Sequence, residues 1–211
     1  MKIGIYGGSF NPIHNGHMHL AECVMNDLGL DKIIFVPSKI SPHKSSDEYV
    51  SEKDRLKMIE LAIAEKDKFE LSDYELSQER VSYSVYTVRH FRELYPDDEL
   101  FLLIGTDMFL CFEKWYCFEE IMQNVTLAVA ARNDGDLKDI EKKAEELSGY
   151  GKIIVSKSPA YPVSSTEIRK KIRKMYSSLE TNTYSTFQNS QESSGKNNCS
   201  FNKDESGEFK E

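Results

Sequence analysis

Long hydrophobic runs, clustered cysteines and surplus positive charge are all missing from this 211-residue chain. No apolar run approaches the roughly 18 residues that span a bilayer, so a membrane helix is excluded and a cytoplasmic protein with no membrane partner is expected. The opening Met1 to Gly8 has no extended apolar stretch of the secretory-leader kind. The four cysteines (Cys23, Cys111, Cys117, Cys199) include no CxxC pair, which argues for reduced thiols rather than a disulfide framework. Lys and Arg total 27 against 35 Asp and Glu, a formal charge of −8. That balance excludes sequence-blind nucleic-acid binding, which needs a basic surface to release counterions. A local anion site survives it, because a helix terminus and a few cations suffice. Branched aliphatics almost vanish near the end: residues 177–211 hold eight Ser and five Asn but, of Leu, Ile and Val, only Leu179. Such a segment cannot offset the roughly 1–2 kcal/mol per residue that ordering a backbone costs. The expected organisation is one α/β domain over 1–176 and a polar, disordered tail over 177–211.

Within 1–176, short apolar runs alternate with amphipathic ones. Residues 2–6, 32–37, 99–105, 125–131 and 152–155 read as buried strands, and 69–76 as a weaker one. Between them lie helical signals. Ser51 and Asp54 have capping-box spacing before a stripe of Leu56, Ile59 and Ile63 with Met58 and Leu61. Val85, Val88, Phe91 and Arg92 begin a second helix that Pro96 ends. Ile140, Ala144 and Leu147 mark a third, and Ser164 with Glu167 caps a fourth before Ile168 and Ile172. The alternation predicts a Rossmann-like doubly wound fold, a mostly parallel sheet with helices on both faces. Such sheets bind ligands beyond the carboxyl ends of their strands. The unusual residues do follow strands: Gly7 to His17, Ser41 to Lys44, Ser82 to Thr87, Gly105-Thr106-Asp107, Arg132, and Ser164 to Arg169. One shared site along one sheet edge is the expectation.

The first of these loops, Gly7-Gly8-Ser9-Phe10-Asn11-Pro12-Ile13-His14-Asn15-Gly16-His17, is neither a Walker A loop nor a dinucleotide fingerprint. It offers a glycine pair for close backbone approach, then two imidazoles three residues apart at a helix start, where exposed N–H groups attract phosphate. His-x-x-His also admits a metal, with His19 or Cys23 nearby. Ser164-Ser165-Thr166-Glu167-Ile168-Arg169 opens another helix with hydroxyls and a cation. Taken alone it is an ordinary capping box; together, two helix openings, two histidines and one arginine suit a polyphosphate.

Phe10 to His17 resembles the HxGH loop of the nucleotidyltransferase α/β superfamily, and Ser164 to Arg169 resembles its second signature. With Gly105-Thr106-Asp107 and Trp115-Tyr116, residues 1–174 resemble the bacterial nicotinate-nucleotide adenylyltransferases. The resemblance implies that nicotinate mononucleotide and ATP give nicotinate adenine dinucleotide and pyrophosphate in NAD biosynthesis. Magnesium would be bound through the ATP phosphates. The acceptor 5′-phosphate would attack the α-phosphorus in line, with no general base and no covalent intermediate. It also implies roles. His14 and His17 would contact the ATP phosphates with His17 nearest the reacting centre, and Ser165 and Arg169 would hold the β and γ phosphates. Gly8, Ser9 and Phe10 would line the crossing point of the substrates. Gly16, Ser164, Thr166 and Ile168 complete the ATP side, with Arg132 near the adenosine. On the acceptor side stand Lys44, Tyr83, Ser84, Gly105 and Asp107; Trp115 would stack on the pyridine ring, and the Tyr116 N–H would meet the carboxylate. A homo-oligomer is left open.

Three departures from the family pattern stand out. Ser84 and Tyr86 occupy positions where the family usually has Thr and Asp, and Ser41 one where it usually has Pro. After Arg169 the family's C-terminal apolar helix has no counterpart in 177–211, which predicts reduced stability. Competing readings are a sister adenylyltransferase for nicotinamide mononucleotide or phosphopantetheine, a nucleotide-binding regulator without turnover, and a metal-binding module. Trp115 favours a pyridine-bearing acceptor over pantetheine, and the cysteine spacing disfavours the metal module.

Overall fold

A computed structural model of the chain describes residues 1–39, 50–131, 137–157 and 161–177. Two units divide it, Met1–Ile168 and Arg169–Glu211. In the second, residues 169–177 are helical; the tail from 178 on lies outside the described residues.

The first unit is built on six strands: β1 (Lys2–Gly8), β2 (Lys32–Pro37), β3 (Phe69–Leu71), β4 (Glu99–Gly105), β5 (Thr126–Ala131) and β6 (Ile153–Lys157). All are parallel, in the order β3-β2-β1-β4-β5-β6. This is the doubly wound arrangement the alternation predicts, and its order reverses between β1 and β4. Ile3 pairs with Lys32 on one side and Leu100 on the other. The loops after β1 and β4 therefore part company at the carboxyl edge and leave a crevice there.

Strand period sorts the core. Ile34 and Val36 join Ile3, Ile5, Leu100, Leu102, Ile104, Leu127 and Val129 on one face. There they meet Val85, Val88 and Phe91 of α4 (Ser84–Leu94), Ile121 of α6 (Phe118–Asn124), and Ile140 and Leu147 of α7 (Leu137–Leu147). Ile33 and Phe35 join Tyr6, Phe101, Leu103, Ala128 and Ala130 on the other face, against Leu20, Ala21 and Val24 of α1 (Asn15–Leu28) and Ile59 and Ile63 of α2 (Glu52–Ile63). Each fully buried aliphatic side chain stabilises by roughly 1.5–3 kcal/mol, so both faces need their helices.

Two local expectations give way. The weak strand over 69–76 ends at Leu71; α3 (Tyr74–Ser77) follows, with Ser72 Oγ accepting from the Tyr74 N–H. Glu75 and Leu76 are both buried, and two neighbours cannot face the same core in an alternating strand. In α2 the buried stripe is Arg55, Ile59 and Ile63, while Leu61 stands 68% exposed. Ser51 caps this helix as expected, its Oγ accepting from the Asp54 N–H at 3.1 Å. No helix among the described residues is long and apolar enough to cross a membrane.

Candidate active site

His14 is the N-cap of α1, and its Nδ1 accepts from the Gly16 N–H at 3.1 Å. His17, three residues on, returns the favour: its Nδ1 accepts from the His14 N–H at 3.3 Å. The rings stack with centroids 3.8 Å apart. This is a capping box made from two imidazoles. With both Nδ1 atoms accepting, each ring carries its proton on Nε2, so both histidines act as N–H donors at the positive end of a helix. A Cβ on Gly16 would lie 3.0 Å from the His14 ring, and one on Gly8 would lie 3.0 Å from the Phe10 ring. Both are tighter than ordinary side-chain contacts, so a residue larger than glycine at either position would press on that ring.

Phe10 holds the loop in place. Its φ is 40°, in the left-handed region that bulky residues avoid, yet it is only 1% exposed. Its ring packs against Tyr6, Phe35 and His17 at centroid distances of 5.4, 5.7 and 5.2 Å. The Phe10 ring therefore belongs to the core. The buried Arg55 donates to the carbonyls of Ser9 at 2.8 Å and Ser38 at 2.7 Å, clipping together the turns that follow β1 and β2. Asn11 accepts from the Val50 N–H at 3.1 Å, beside the start of α2.

The second helix opening comes to the same loop. Ser165 donates its hydroxyl to the Pro12 carbonyl at 2.9 Å. The Val163 carbonyl lies 3.5 Å from where a Gly16 Cβ would stand, and the Asn15 amide donates to the Tyr161 hydroxyl at 3.5 Å. Ser164 caps the new helix by accepting from the Glu167 N–H at 3.2 Å, with Thr166 exposed and Ile168 half-buried in its first turn. Two helix openings thus share one edge of the sheet, as the spacing of the motifs anticipates. Arg169 is a helical residue of the second unit.

Across the crevice, Gly105 is the N-cap of α5 (Thr106–Phe109), so Asp107 sits in the first turn, exposed, rather than at the cap. A 3₁₀ turn, Phe112–Lys114, then delivers Trp115 and Tyr116. Trp115 is half-buried, its ring 5.0 Å from that of Phe112, and it borders the core cluster. Tyr116 is 52% exposed, with rings of Tyr83 at 5.0 Å and Tyr86 at 6.3 Å. Tyr83 is the N-cap of α4 and Ser84 its first residue. Over Tyr86 lies the guanidinium of Arg80, 3.8 Å from the ring centroid. The cation–π partner stands where a carboxylate is usual in the family pattern, so Tyr86 makes an aromatic wall of that corner. Lys44 and Arg132 lie outside the described residues. Among the described residues, no group of three or more His, Cys, Asp and Glu gathers to hold a metal ion.

The profile of the cytidylyltransferase-like family matches residues 5–171. A probable nicotinate-nucleotide adenylyltransferase of Clostridium tetani is 41% identical over 175 residues, covering 82% of this chain and 88% of that protein. One of Neisseria meningitidis, named likewise, is 35% identical over 81% of this chain and 87% of its own length. The chain belongs to the nicotinate-nucleotide adenylyltransferase family. The fold agrees. Plasmodium falciparum nicotinic acid mononucleotide adenylyltransferase, solved in complex with NaAD, superposes with a TM-score of 0.62 at 22% identity, over 80% of this chain and 82% of that one.

Two residues of this family member escape motif reading. Arg55 had a signal: it stands four and eight residues before Ile59 and Ile63, a charge on an apolar stripe. Glu75 had none, because its surroundings read as strand. Burial pushes its carboxyl above the ordinary range, while hydroxyls of Thr87 and Ser82 pull in the opposite direction.

Proposed function

We propose that this chain joins ATP and nicotinate mononucleotide to give nicotinate adenine dinucleotide and pyrophosphate, a step of NAD biosynthesis. The observation that carries the reading is the Ser165–Pro12 contact, which sets a second helix opening beside the reciprocally capped pair His14 and His17. N–H and O–H donors gathered this way suit the oxygens of a polyphosphate. Magnesium enters as part of the ATP substrate, held on its phosphate oxygens; the donors of this loop fit the anion rather than the cation.

An oxygen of the acceptor 5′-phosphate attacks the α-phosphorus of ATP. The new P–O bond forms as the bridging α–β bond breaks, and pyrophosphate leaves with the electron pair. The attacking oxygen arrives ionised, so no residue has to take its proton. Catalysis consists of aligning two anions and meeting charge that grows on the leaving group. His14 and His17 donate from Nε2 to the phosphates, His17 closest to the reacting centre. Ser165 and Arg169 bind the β and γ phosphates; Gly16, Ser164, Thr166 and Ile168 complete this side, and Gly8, Ser9 and Phe10 contribute backbone where the substrates cross. Arg132 serves the adenosine and Lys44 the acceptor phosphate. Tyr83, Ser84, Gly105 and Asp107 hold the mononucleotide. Trp115 stacks on its pyridine ring, and the Tyr116 N–H selects a carboxylate over an amide. The test is pyrophosphate release from ATP and Mg²⁺ with nicotinate mononucleotide, nicotinamide mononucleotide or phosphopantetheine. Release with the first should far exceed that with the others; release with none would mean a nucleotide-binding regulator.

A further inference from the structure

Helix α4 begins without help from its own N-cap. Tyr83 makes no side-chain capping bond, so something else must fix the turn that carries Tyr83 and Ser84. The buried carboxylate of Glu75 supplies it. Thr87 donates its hydroxyl to Glu75 Oε1 at 2.5 Å, within the buried interior. Ser82 lines the same small pocket as Glu75, and its Oγ accepts from the backbone N–H of Lys39 at 3.0 Å. The carboxylate thus holds the chain just after residues 83–86 through Thr87, while Ser82, just before them, is tied to the strand-exit backbone following β2. A small pocket lined by Tyr74, Glu75, Arg80, Ser82, Tyr83 and Tyr86 lies at the same place, so the segment borders open space on one side.

We infer that Glu75 is a positioning residue for acceptor binding: it anchors α4 at Thr87 while Ser82 is anchored to the backbone of Lys39, and the bracket so formed makes Tyr83 and Ser84 present a fixed surface to the mononucleotide. The inference rests on the proposed acceptor role of that segment. A burial role alone would weaken both substrates or neither, whereas a bracket on one segment affects the acceptor alone. The histidine loop has its own supports in Arg55, Phe10 and the reciprocal caps, and the ATP side does not depend on Glu75.

The test measures dissociation constants of ATP and of each of the three candidate acceptors by calorimetry, with turnover alongside, for the full chain and for Glu75→Gln. Gln keeps the shape but turns one acceptor oxygen into a donor and removes the charge that the Thr87 hydroxyl donates to. Affinity for whichever acceptor the wild type binds should fall about tenfold, the scale of one charge-assisted hydrogen bond, with ATP affinity unchanged within twofold. Should Glu75→Gln fail to fold, Thr87→Val must reproduce the loss and Thr87→Ser, which keeps the hydroxyl, must rescue it. Equal loss for ATP, or unchanged acceptor affinity, would overturn the inference. A wild type that prefers phosphopantetheine defeats the proposed substrate but still tests Glu75 on that acceptor. A wild type that binds none of the three removes the acceptor segment, and the bracket with it.

Discussion

The two sides of the crevice are held by opposite means. On the histidine side the decisive bonds are local: His14 and His17 cap each other across three residues, and Gly16 closes the turn. On the tyrosine side they are remote: Glu75 reaches 12 residues to Thr87, and Ser82 reaches 43 to Lys39. A locally capped site persists wherever its helix forms. A remotely bracketed one exists only when several elements have docked, and it is on this side that the chain departs from the family pattern, with Arg80 stacked over Tyr86.

The strongest way to break that contrast is His17→Ala. Turnover should fall by about 10²–10³, the scale of losing one transition-state donor, while thermal melting barely moves. His17→Gln sharpens the point: Gln can reach back to the N-cap N–H, so it restores the cap without restoring turnover. Restored turnover would reduce His17 to a capping residue.

Next comes Arg55→Met, which leaves the buried carbonyls of Ser9 and Ser38 without this donor. Denaturant unfolding should show a loss of about 2–6 kcal/mol, from two orphaned acceptors at about 1–3 each. Because Arg55 serves the histidine loop, ATP affinity should suffer more than acceptor affinity, the reverse of Glu75→Gln.

Trp115→Ala should raise the acceptor KM, by about 1–3 kcal/mol of lost stacking on the scale seen for bases, with kcat and the ATP KM nearly unaffected. An unchanged acceptor KM makes Trp115 a packing residue for Phe112.

The smallest expected effect is a pH slope. Burial raises the Glu75 pKa above its ordinary 4.5. Between that value and the raised folded one, the native state binds the extra proton more fully than the unfolded chain, so stability falls as pH rises through this window. Subtracting the pH–stability curve of Glu75→Gln from that of the wild type should leave a difference that declines with rising pH and flattens below 4.5. A difference that grows with pH would mean that the hydroxyls outweigh burial.

Legibility followed the same division. The two motif loops were readable because their capping bonds join residues at most three apart, and the alternation of apolar runs with helical stripes announced a parallel sheet. The edge region was not. Residues 69–76 alternate loosely enough to suggest a strand, and only docking against α4 buries Glu75 and Leu76 side by side. Leu61 looked like core and faces solvent, while Arg55 took the stripe because two carbonyls at the ends of β1 and β2 wait there for a donor.

Local spacing by itself therefore determined the five longer strands, the capped start of α2 and the paired histidines, since each depends on backbone periodicity and on hydrogen bonds within a turn or two. Tertiary structure alone decided that Phe10 is a core ring, that Arg55 clips two strand ends, and that Glu75 grips the tyrosine segment. Those roles come from burial and from partners far along the chain, and the cost of desolvating a charge is set by which elements close around it.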